Sequence, residues 1–289
     1  MGSSSRDLIP EVPPLGPVRR LARLVRQAPR RLTSGWRGLP DFLIIGAQRA
    51  GTSSLRDHLA RQPDMFLASP KEVHYFDLHF GRGSSWYRAH FPLGESSSRL
   101  RGEATPYYAF HPCAPARVHA LVPDVKLVFL ARDPVERAIS HHRLETKLGF
   151  EELPLLEALE REEERTAREE DRLRSGELLY SHGHHHFAYT ARGMYAQQLR
   201  DWYEFFPPEQ MLIMSSEKLF ERPAEEVARL RSFLGLPGAA RGELPRHNAL
   251  SSRPVDPEAR RLLRSRLEPH YPEFYELAGE DLGWESTHG

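Results

Sequence analysis

A strand–loop–helix unit early in the chain constrains the fold more than any other feature. Asp41–Ile45 (D-F-L-I-I) is a short apolar run that ends at Gly46, and it predicts a buried strand. Ser53–Arg61 follows and predicts a helix with its leucines on one face. A strand, a glycine loop and a helix in this order indicate an α/β domain.

Two later apolar runs predict further strands of the same sheet. Lys126–Ala131 and Met211–Met214 are the candidates, and helical patterns follow each of them. After the first run, Asp133 suits a helix N-cap and Pro134 suits the first helical position. Strands separated by helices predict a parallel sheet covered by helices on both faces, in a single domain.

The first 40 residues differ from the rest of the chain. They carry eight Arg and no Lys. Apolar residues recur at helical spacing over 18–32, so a basic leader is predicted for 1–40, either flexible or an amphipathic helix. Contact of 18–32 with a membrane surface stays open as an alternative. Residues 41–289 then form the folded domain.

The composition excludes several function classes. Lys plus Arg is 40 and Asp plus Glu is 40, so no global field draws nucleic acid and any anion site must be local. The single cysteine, Cys113, cannot form an intramolecular disulfide, which favours a reducing compartment. The sequence has no stretch of about 18 apolar residues, so no transmembrane helix is predicted.

Glu151–Glu177 is dense in Glu and Arg. The pattern predicts a solvated helix with ion pairs four residues apart. A second cluster, His182–His186, lacks the Cys or carboxylate spacing of a known metal site, so no metal is predicted there or elsewhere. A solvated loop and a loop lining an acceptor site are both open for this cluster.

The loop Gly46–Ser54 (G-A-Q-R-A-G-T-S-S) is the main candidate for binding. Its glycines allow backbone N–H groups to point inward, and the helix that follows adds about half a positive charge at its N-terminus. The outline is that of a P-loop, but Thr52 stands where a nucleoside-triphosphate loop has Lys. The cation lies inside the loop as Arg49, which suits a shorter, metal-free anion such as a phosphosulfate. The candidate binding residues of this loop are Arg49, Ala50, Gly51, Thr52, Ser53 and Ser54.

A second anion site is predicted where the strand Lys126–Ala131 ends. Arg132 lies at the carboxyl end of that strand, where open α/β sheets bind ligands. Ser140 lies nearly two turns into the next helix. An Arg and a Ser in these positions can hold one phosphate together.

Several ordered motifs resemble the family of sulfotransferases that use 3′-phosphoadenosine 5′-phosphosulfate (PAPS). I-I-G-A-Q-R-A-G-T-S-S-L is similar to their 5′-phosphosulfate loop, and L-A-R-D-P-V-E-R-A-I-S to their 3′-phosphate segment. P-K-E-V-H-Y-F-D (Pro70–Asp77), R-G-M-Y-A-Q-Q-L and D-L-G-W resemble the heparan sulfate glucosaminyl 3-O- and N-sulfotransferases. The resemblance covers about Asp41 to Trp284. It implies a P-loop-like fold, PAPS as co-substrate and no metal.

The resemblance also implies roles for particular residues. Glu72 takes the place of the general base, with His74 and Asp77 beside it to orient the acceptor or Glu72. Arg49, where the family normally has Lys, contacts the transferring sulfonate and the leaving phosphate. A late loop contributes a third donor contact, for which Ser251, Ser252 and Arg253 are the candidates. Because a carboxylate in a partly dry cleft is desolvated, we expect the pKa of Glu72 to be raised toward neutrality.

The predicted function is transfer of a sulfuryl group from PAPS to a hydroxyl or amine of a carbohydrate, with a small-molecule acceptor as a further option. A P-loop kinase-like phosphotransferase and a nucleotide-binding module without catalysis are the alternatives. The missing Lys at Thr52 argues against the first, and Glu72 against the second. Without a predicted membrane anchor, we expect a cytoplasmic enzyme.

Overall fold

The computed structural model describes residues 30–94, 99–247 and 254–284. Within these ranges five parallel strands form one sheet in the order β2-β3-β1-β4-β5. The strands are Phe42–Gly46 (β1), Met65–Leu67 (β2), Leu100–Ala104 (β3), Lys126–Ala131 (β4) and Met211–Ser215 (β5). Helices flank the sheet, so the predicted single α/β domain with a P-loop-like parallel sheet is confirmed.

The helices lie mainly in the connections between the strands. In chain order they are Thr52–Leu59 (α1), Ser84–Arg88 (α2), Ala114–Leu121 (α3), Pro134–Leu148 (α4), Leu155–Glu160 (α5), Glu162–Thr166 (α6), Glu169–Arg174 (α7), His182–His186 (α8), Tyr195–Tyr203 (α9), Ser216–Glu221 (α10), Pro223–Phe233 (α11), Pro257–Leu267 (α12) and Tyr271–Ala278 (α13). Short 3₁₀ turns cover Ser34–Trp36, Phe80–Arg82, Ala191–Gly193, Pro208–Gln210 and Glu268–His270. In the described part of the chain, no helix combines the length and the apolar character that crossing a bilayer requires.

The two central strands are the most apolar and the most buried. The first four residues of β1, Phe42 to Ile45, have no exposed surface, and neither have Leu127 to Ala131 of β4. The two strands pair in parallel, with Phe42 opposite Lys126 and Ile44 opposite Val128. A strand without solvent on either face needs apolar side chains throughout, which explains the continuous runs in the sequence.

The chain turns in opposite directions after β1 and after β4. From β1 it continues through α1 to β2 and β3, on one side of the sheet, whereas from β4 it continues through α4 toward β5 on the other. Adjacent parallel strands whose connections diverge leave a crevice at their carboxyl ends, where open α/β sheets bind ligands. The fold therefore places one such crevice above β1 and β4.

The acidic segment 151–177 differs from the prediction of one solvated helix. It forms three short helices, α5, α6 and α7, and Arg168 between the last two has a left-handed backbone with φ of 60°. Glu162 is buried because its carboxylate accepts hydrogen bonds from the backbone N–H groups of Thr190 and Ala191. The predicted surface pairs are present, as Arg161 with Glu157 at 2.7 Å shows. One carboxylate in the run thus anchors a distant loop, which charge patterning alone does not reveal.

Most of the predicted basic leader, residues 1–29, lies outside the described residues. Its last part packs on the domain, where the Arg37 guanidinium Nη1 donates to the Phe91 carbonyl at 2.6 Å. Arg37 also forms an isolated antiparallel bridge with Leu93. The division of the chain at residue 40 stays a prediction.

Candidate active site

A cleft of about 640 Å³ opens above the carboxyl ends of β1 and β4. Its walls come from the loop 46–54, from the segment 71–74 and from Arg132 at the end of β4. His185, Arg192 and His247 contribute from later parts of the chain. Three of the sequence motifs, from distant parts of the chain, therefore meet in one place.

The loop between β1 and α1 is shaped by its backbone. Ala47 N–H donates to the Leu130 carbonyl at 2.7 Å, which ties the start of the loop to β4. Arg49 and Gly51 have left-handed backbones, with φ of 73° and 96°. A Cβ on Gly51 would meet the Phe220 ring at 2.8 Å, so glycine is required both by conformation and by space. The helix α1 then begins at Thr52, and its N-terminal residues, which carry N–H groups without helical partners, line the cleft.

The side chains of this loop divide between the cleft and its support. Of the loop residues predicted to bind the donor, Arg49, Gly51, Thr52, Ser53 and Ser54 line the cleft. Ala50 does not line it, since its side chain is fully buried in the core. The hydroxyl of Ser54 accepts a hydrogen bond from His247 N–H at 3.1 Å, so residue 247 is tied to the start of α1.

Arg132 and Ser140 both contact Arg49. The Arg132 Nη1 donates to the Arg49 carbonyl at 3.1 Å, and the Arg49 Nε donates to the Ser140 hydroxyl at 3.0 Å. Ser140 is buried behind Arg49 and does not line the cleft, whereas Arg132 does. Burial and the neighbouring Arg132 lower the pKa of Arg49, while Glu145 and Glu72 act against this. Two guanidinium groups thus converge on the cleft, as an anion site requires.

Asp133 and Pro134 begin α4 as expected. The Asp133 carboxylate accepts hydrogen bonds from Val135 N–H at 2.8 Å and Glu136 N–H at 3.0 Å. This cap fixes the direction in which the chain leaves β4, and with it the position of Arg132.

The segment after β2 brings Glu72, His74 and Asp77 into a chain of alternating charges. His74 Nε2 lies 3.5 Å from the Glu72 carboxylate, and His74 Nδ1 lies 2.7 Å from the Asp77 carboxylate. Glu72 is about one third exposed, at 36%, and Asp77 is fully buried at 0%. Glu72 and His74 both have left-handed backbones, with φ of 58° and 54°. Non-glycine residues seldom adopt this region, and they cluster at functional sites when they do.

The pKa of Glu72 is shifted in the direction opposite to the one expected. Burial acts to raise its pKa, but the hydrogen bond from His74 and the Lys71 ammonium outweigh it, and the pKa is lowered to about 2. The prediction of a pKa raised toward neutrality is therefore wrong. It considered desolvation alone, whereas two cations flank this carboxylate in the folded protein.

His74 is the complementary cation. Burial acts to lower its pKa, but Asp77 on one side and Glu72 on the other raise it to about 10. The pKa of Asp77 is lowered, because His74 outweighs the burial of its carboxylate. At neutral pH the segment therefore holds an ionised Glu72 against a protonated His74, oriented from behind by Asp77.

Sequence reasoning missed several residues of the cleft. Lys71 contacts both Ser53 and Glu72, at 2.5 Å and 2.7 Å. Arg192 is buried, donates to the Gln48 side-chain oxygen at 2.7 Å and lies over the Tyr107 ring. The P-K-E and R-G-M-Y motifs include these cations, but nothing in their spacing predicts which groups they meet.

The histidine cluster forms the short helix α8, and His184, His185 and His186 are buried, so the solvated interpretation is wrong. His185 lines the cleft with its ring 4.4 Å from that of Tyr107. Burial and the charge of Arg192 hold the pKa of His185 well below its usual range, so its ring is neutral beside the Arg192 cation. No group of three His, Cys, Asp or Glu side chains arranged for a metal ion occurs among the described residues.

The third predicted donor contact cannot be placed. Ser251, Ser252 and Arg253 lie outside the described residues. The residues just before them, Arg246 and His247, line the cleft.

This fold and cleft define a class of α/β domains in which a P-loop-like turn after the first strand opens into a cleft beside an ionised carboxylate. Residues 39–252 match the sulfotransferase domain family, so the chain belongs to that family and is a sulfotransferase. The phosphotransferase and the non-catalytic alternatives are thereby set aside.

Individual relatives agree with this assignment. The chain is 33% identical over 276 residues to human heparan sulfate glucosamine 3-O-sulfotransferase 3B1, covering 87% of this chain and 66% of that protein. It is 32% identical to human heparan sulfate glucosamine 3-O-sulfotransferase 6, covering 86% and 75%. The chain thus spans just under two thirds of the first relative's length. A sulfotransferase from Alicyclobacillus acidocaldarius has a similar structure, with a TM-score of 0.70, 27% identity and coverage of 86% of this chain and 99% of that one.

Proposed function

We propose that this sulfotransferase uses PAPS as its donor and transfers the sulfuryl group to a hydroxyl or amine of a carbohydrate, with Glu72 as the general base. The observation that carries the proposal is the opening of the phosphate loop and the Glu72–His74–Asp77 chain into one cleft. The cleft can therefore bind a donor anion next to the carboxylate that removes the acceptor proton.

The donor side fits a nucleotide with separated phosphate groups. The loop 46–54 offers N–H and hydroxyl donors with Arg49, and Arg132 offers a second cation at the next strand end. Thr52 stands where a triphosphate-binding loop needs Lys, so the loop suits a phosphosulfate better than a triphosphate. The expected late contact from Ser251, Ser252 and Arg253 stays part of the proposal.

The acceptor side is supported by the relatives and by the aromatic rings that line the cleft. The similar human proteins are named as heparan sulfate glucosamine sulfotransferases, which motivates a carbohydrate acceptor here. Tyr107 and neutral His185 line the cleft near His74, whose ring centroid is 6.2 Å from that of His185. Rings with a polar edge can pack against a sugar and hydrogen-bond its hydroxyl groups.

In the reaction the acceptor oxygen or nitrogen forms a bond to sulfur, and its proton passes to the Glu72 carboxylate. The bond between sulfur and the 5′-phosphate oxygen breaks, and that oxygen keeps the electron pair. Arg49 stabilises the charge that develops on the leaving phosphate. Because Glu72 is ionised over the whole neutral range, it is always ready to accept the proton, although its low pKa makes it a weak base. Proton transfer is then favourable only once the new bond to sulfur acidifies the acceptor.

The test is transfer of label from radiolabelled PAPS to a panel of glycans and small hydroxyl compounds, together with binding of 3′-phosphoadenosine 5′-phosphate (PAP). We expect Glu72→Gln to lower kcat by about 10²-fold or more while PAP binding is retained. Glu225→Gln, at an exposed position, serves as the control and leaves both unchanged. Full turnover by Glu72→Gln would remove Glu72 from its role, and absence of both transfer and PAP binding in the wild type would reject PAPS as donor.

A further inference from the structure

Lys71 lies between the phosphate loop and the carboxylate of Glu72. Its Nζ is 2.5 Å from the Ser53 hydroxyl and 2.7 Å from Glu72 Oε1. The side chain is one third exposed and lines the cleft. A single ammonium group therefore touches both the donor loop and the proposed base.

The position at Ser53 places this charge where a donor anion is expected. Ser53 is the second residue of α1, so it lies at the helix end that attracts anions. An ammonium carries three N–H donors, and the contacts with Ser53 and Glu72 use two of them. The third can reach an anion in the loop without breaking the other contacts.

The position at Glu72 makes the same group part of the acid–base machinery. The charged and titratable groups that face Glu72 are Lys71 and His74 from its own segment and Arg49 from the phosphate loop. Asp77 lies behind His74, and His111 acts on Asp77 from the next segment. Across the cleft are Arg132, His185 and Arg192. Among these groups, Lys71 makes the shortest recorded contact with the carboxylate.

We propose that Lys71 serves both substrates at once: its ammonium binds the 5′-phosphate end of the donor at Ser53, and its ion pair holds the Glu72 carboxylate and favours the ionised form that receives the acceptor proton. The inference rests on the proposed function, because it assumes that the loop binds PAPS and that Glu72 is the base. The single positive charge of Lys71 then acts on both the donor site and the acceptor site.

The experiment compares Lys71→Met, which keeps the length of the side chain without its charge, with Lys71→Arg, which restores the charge. Two quantities are measured: the Kd for PAP by calorimetry, and the pH profile of kcat/KM for the acceptor at saturating PAPS. We expect Lys71→Met to raise the Kd by about 10-fold or more, because a charge-assisted contact is lost. We also expect its acidic limb to move up by about one pH unit or more, because a carboxylate that loses a nearby cation is protonated more easily.

Controls separate these effects from misfolding. Lys71→Arg should return the Kd to within about 3-fold of wild type and restore the acidic limb. Lys147→Met, at an exposed site near the end of α4, should change neither quantity. Melting temperatures of all variants identify loss of folding.

The outcomes are distinct for the two proposals. A wild type that neither binds PAP nor accepts PAPS overturns the function and this inference together. A wild type that does both, with a Lys71→Met variant unchanged in either the Kd or the acidic limb, overturns the double role of Lys71 alone.

Discussion

Two parts of the cleft owe their shape to different interactions: the proposed donor half, formed by the loop 46–54 and Arg132, and the proposed base half, formed by the segment 72–77. The loop 46–54 depends on backbone conformation, with Gly51 at a left-handed position and α1 beginning directly after it. The segment 72–77 depends on side-chain charge, with the Glu72, His74 and Asp77 groups ordered by ion pairs. The comparison teaches that the proposed anion site follows from the path of the chain, whereas the protonation of Glu72 and His74 follows from close ion pairs.

We expect the largest effect, on both stability and kcat, from removing the charge of Asp77, which lies behind His74. Asp77→Asn removes the buried negative charge and leaves one acceptor oxygen, so the bond from the His74 ring to Oδ2 and the bond from Leu78 N–H to Oδ1 cannot both be kept. Breaking a buried pair in this way costs about 3 kcal/mol or more of stability. We also expect kcat to fall, while the Kd for PAP stays within about 3-fold, since the donor half does not depend on Asp77.

The stability loss should depend on pH. The pKa of His74 is about 10 in the folded protein, above its unfolded value of about 6.5, so its stabilisation is complete below pH 6.5 and is lost as the pH rises through 10. The lowered pKa of Asp77 makes its stabilisation complete above about pH 4 and lost as the pH falls. The gap in Tm between wild type and Asp77→Asn should therefore be widest between about pH 4 and 6.5. A gap that widens toward pH 10 would contradict this account, and Asp124→Asn, at an exposed turn, is the control.

A smaller effect, confined to the donor half, is expected at Arg132. Arg132→Ala removes a cation that lines the cleft and a hydrogen bond to the Arg49 carbonyl. Loss of charge-assisted contacts to a phosphate should raise the Kd for PAP by about 10²-fold, or about 2.7 kcal/mol. The acidic limb of the kcat/KM profile should stay in place, because Arg132 does not pair with Glu72. A shift of that limb, absent in the exposed control Arg61→Ala, would show that the two halves are not separate.

The sequence predicts the strand β4 far better than the strands β2 and β3. Lys126–Ala131 is predicted to the residue, because its local apolar run determines it, and the predicted start of the next helix at Asp133 and Pro134 is also found. β2 and β3 were missed. In β3, Arg101 pairs with Asp41, and Gly102 lies against the Phe42 ring, where a Cβ would be 2.2 Å away. These polar and small residues suit a strand only because of partners about 60 positions away.

The same limit applies to the site. The residues Arg49, Glu72, His74 and Arg132 were placed in one cleft through motifs that specify local geometry. The low pKa of Glu72 was not predictable, because it depends on how the ammonium and imidazole groups are arranged in space. The motif points to Glu72 as the candidate base, and its neighbours in the folded protein set its protonation.

The smallest effect tests whether the backbone itself binds the donor. Gly51→Ala should cost about 1–2 kcal/mol for the left-handed conformation, and somewhat more because the new Cβ meets the Phe220 ring at 2.8 Å. Gly176→Ala is a matched control, since Gly176 has φ of 76° but no atom within 4 Å of the new Cβ. Thermal melts should therefore show a larger loss at Gly51, and the Kd for PAP should rise several-fold there and not at Gly176. Equal affinity in the two variants would mean that the side chains of the loop, rather than the path of its backbone, hold the anion.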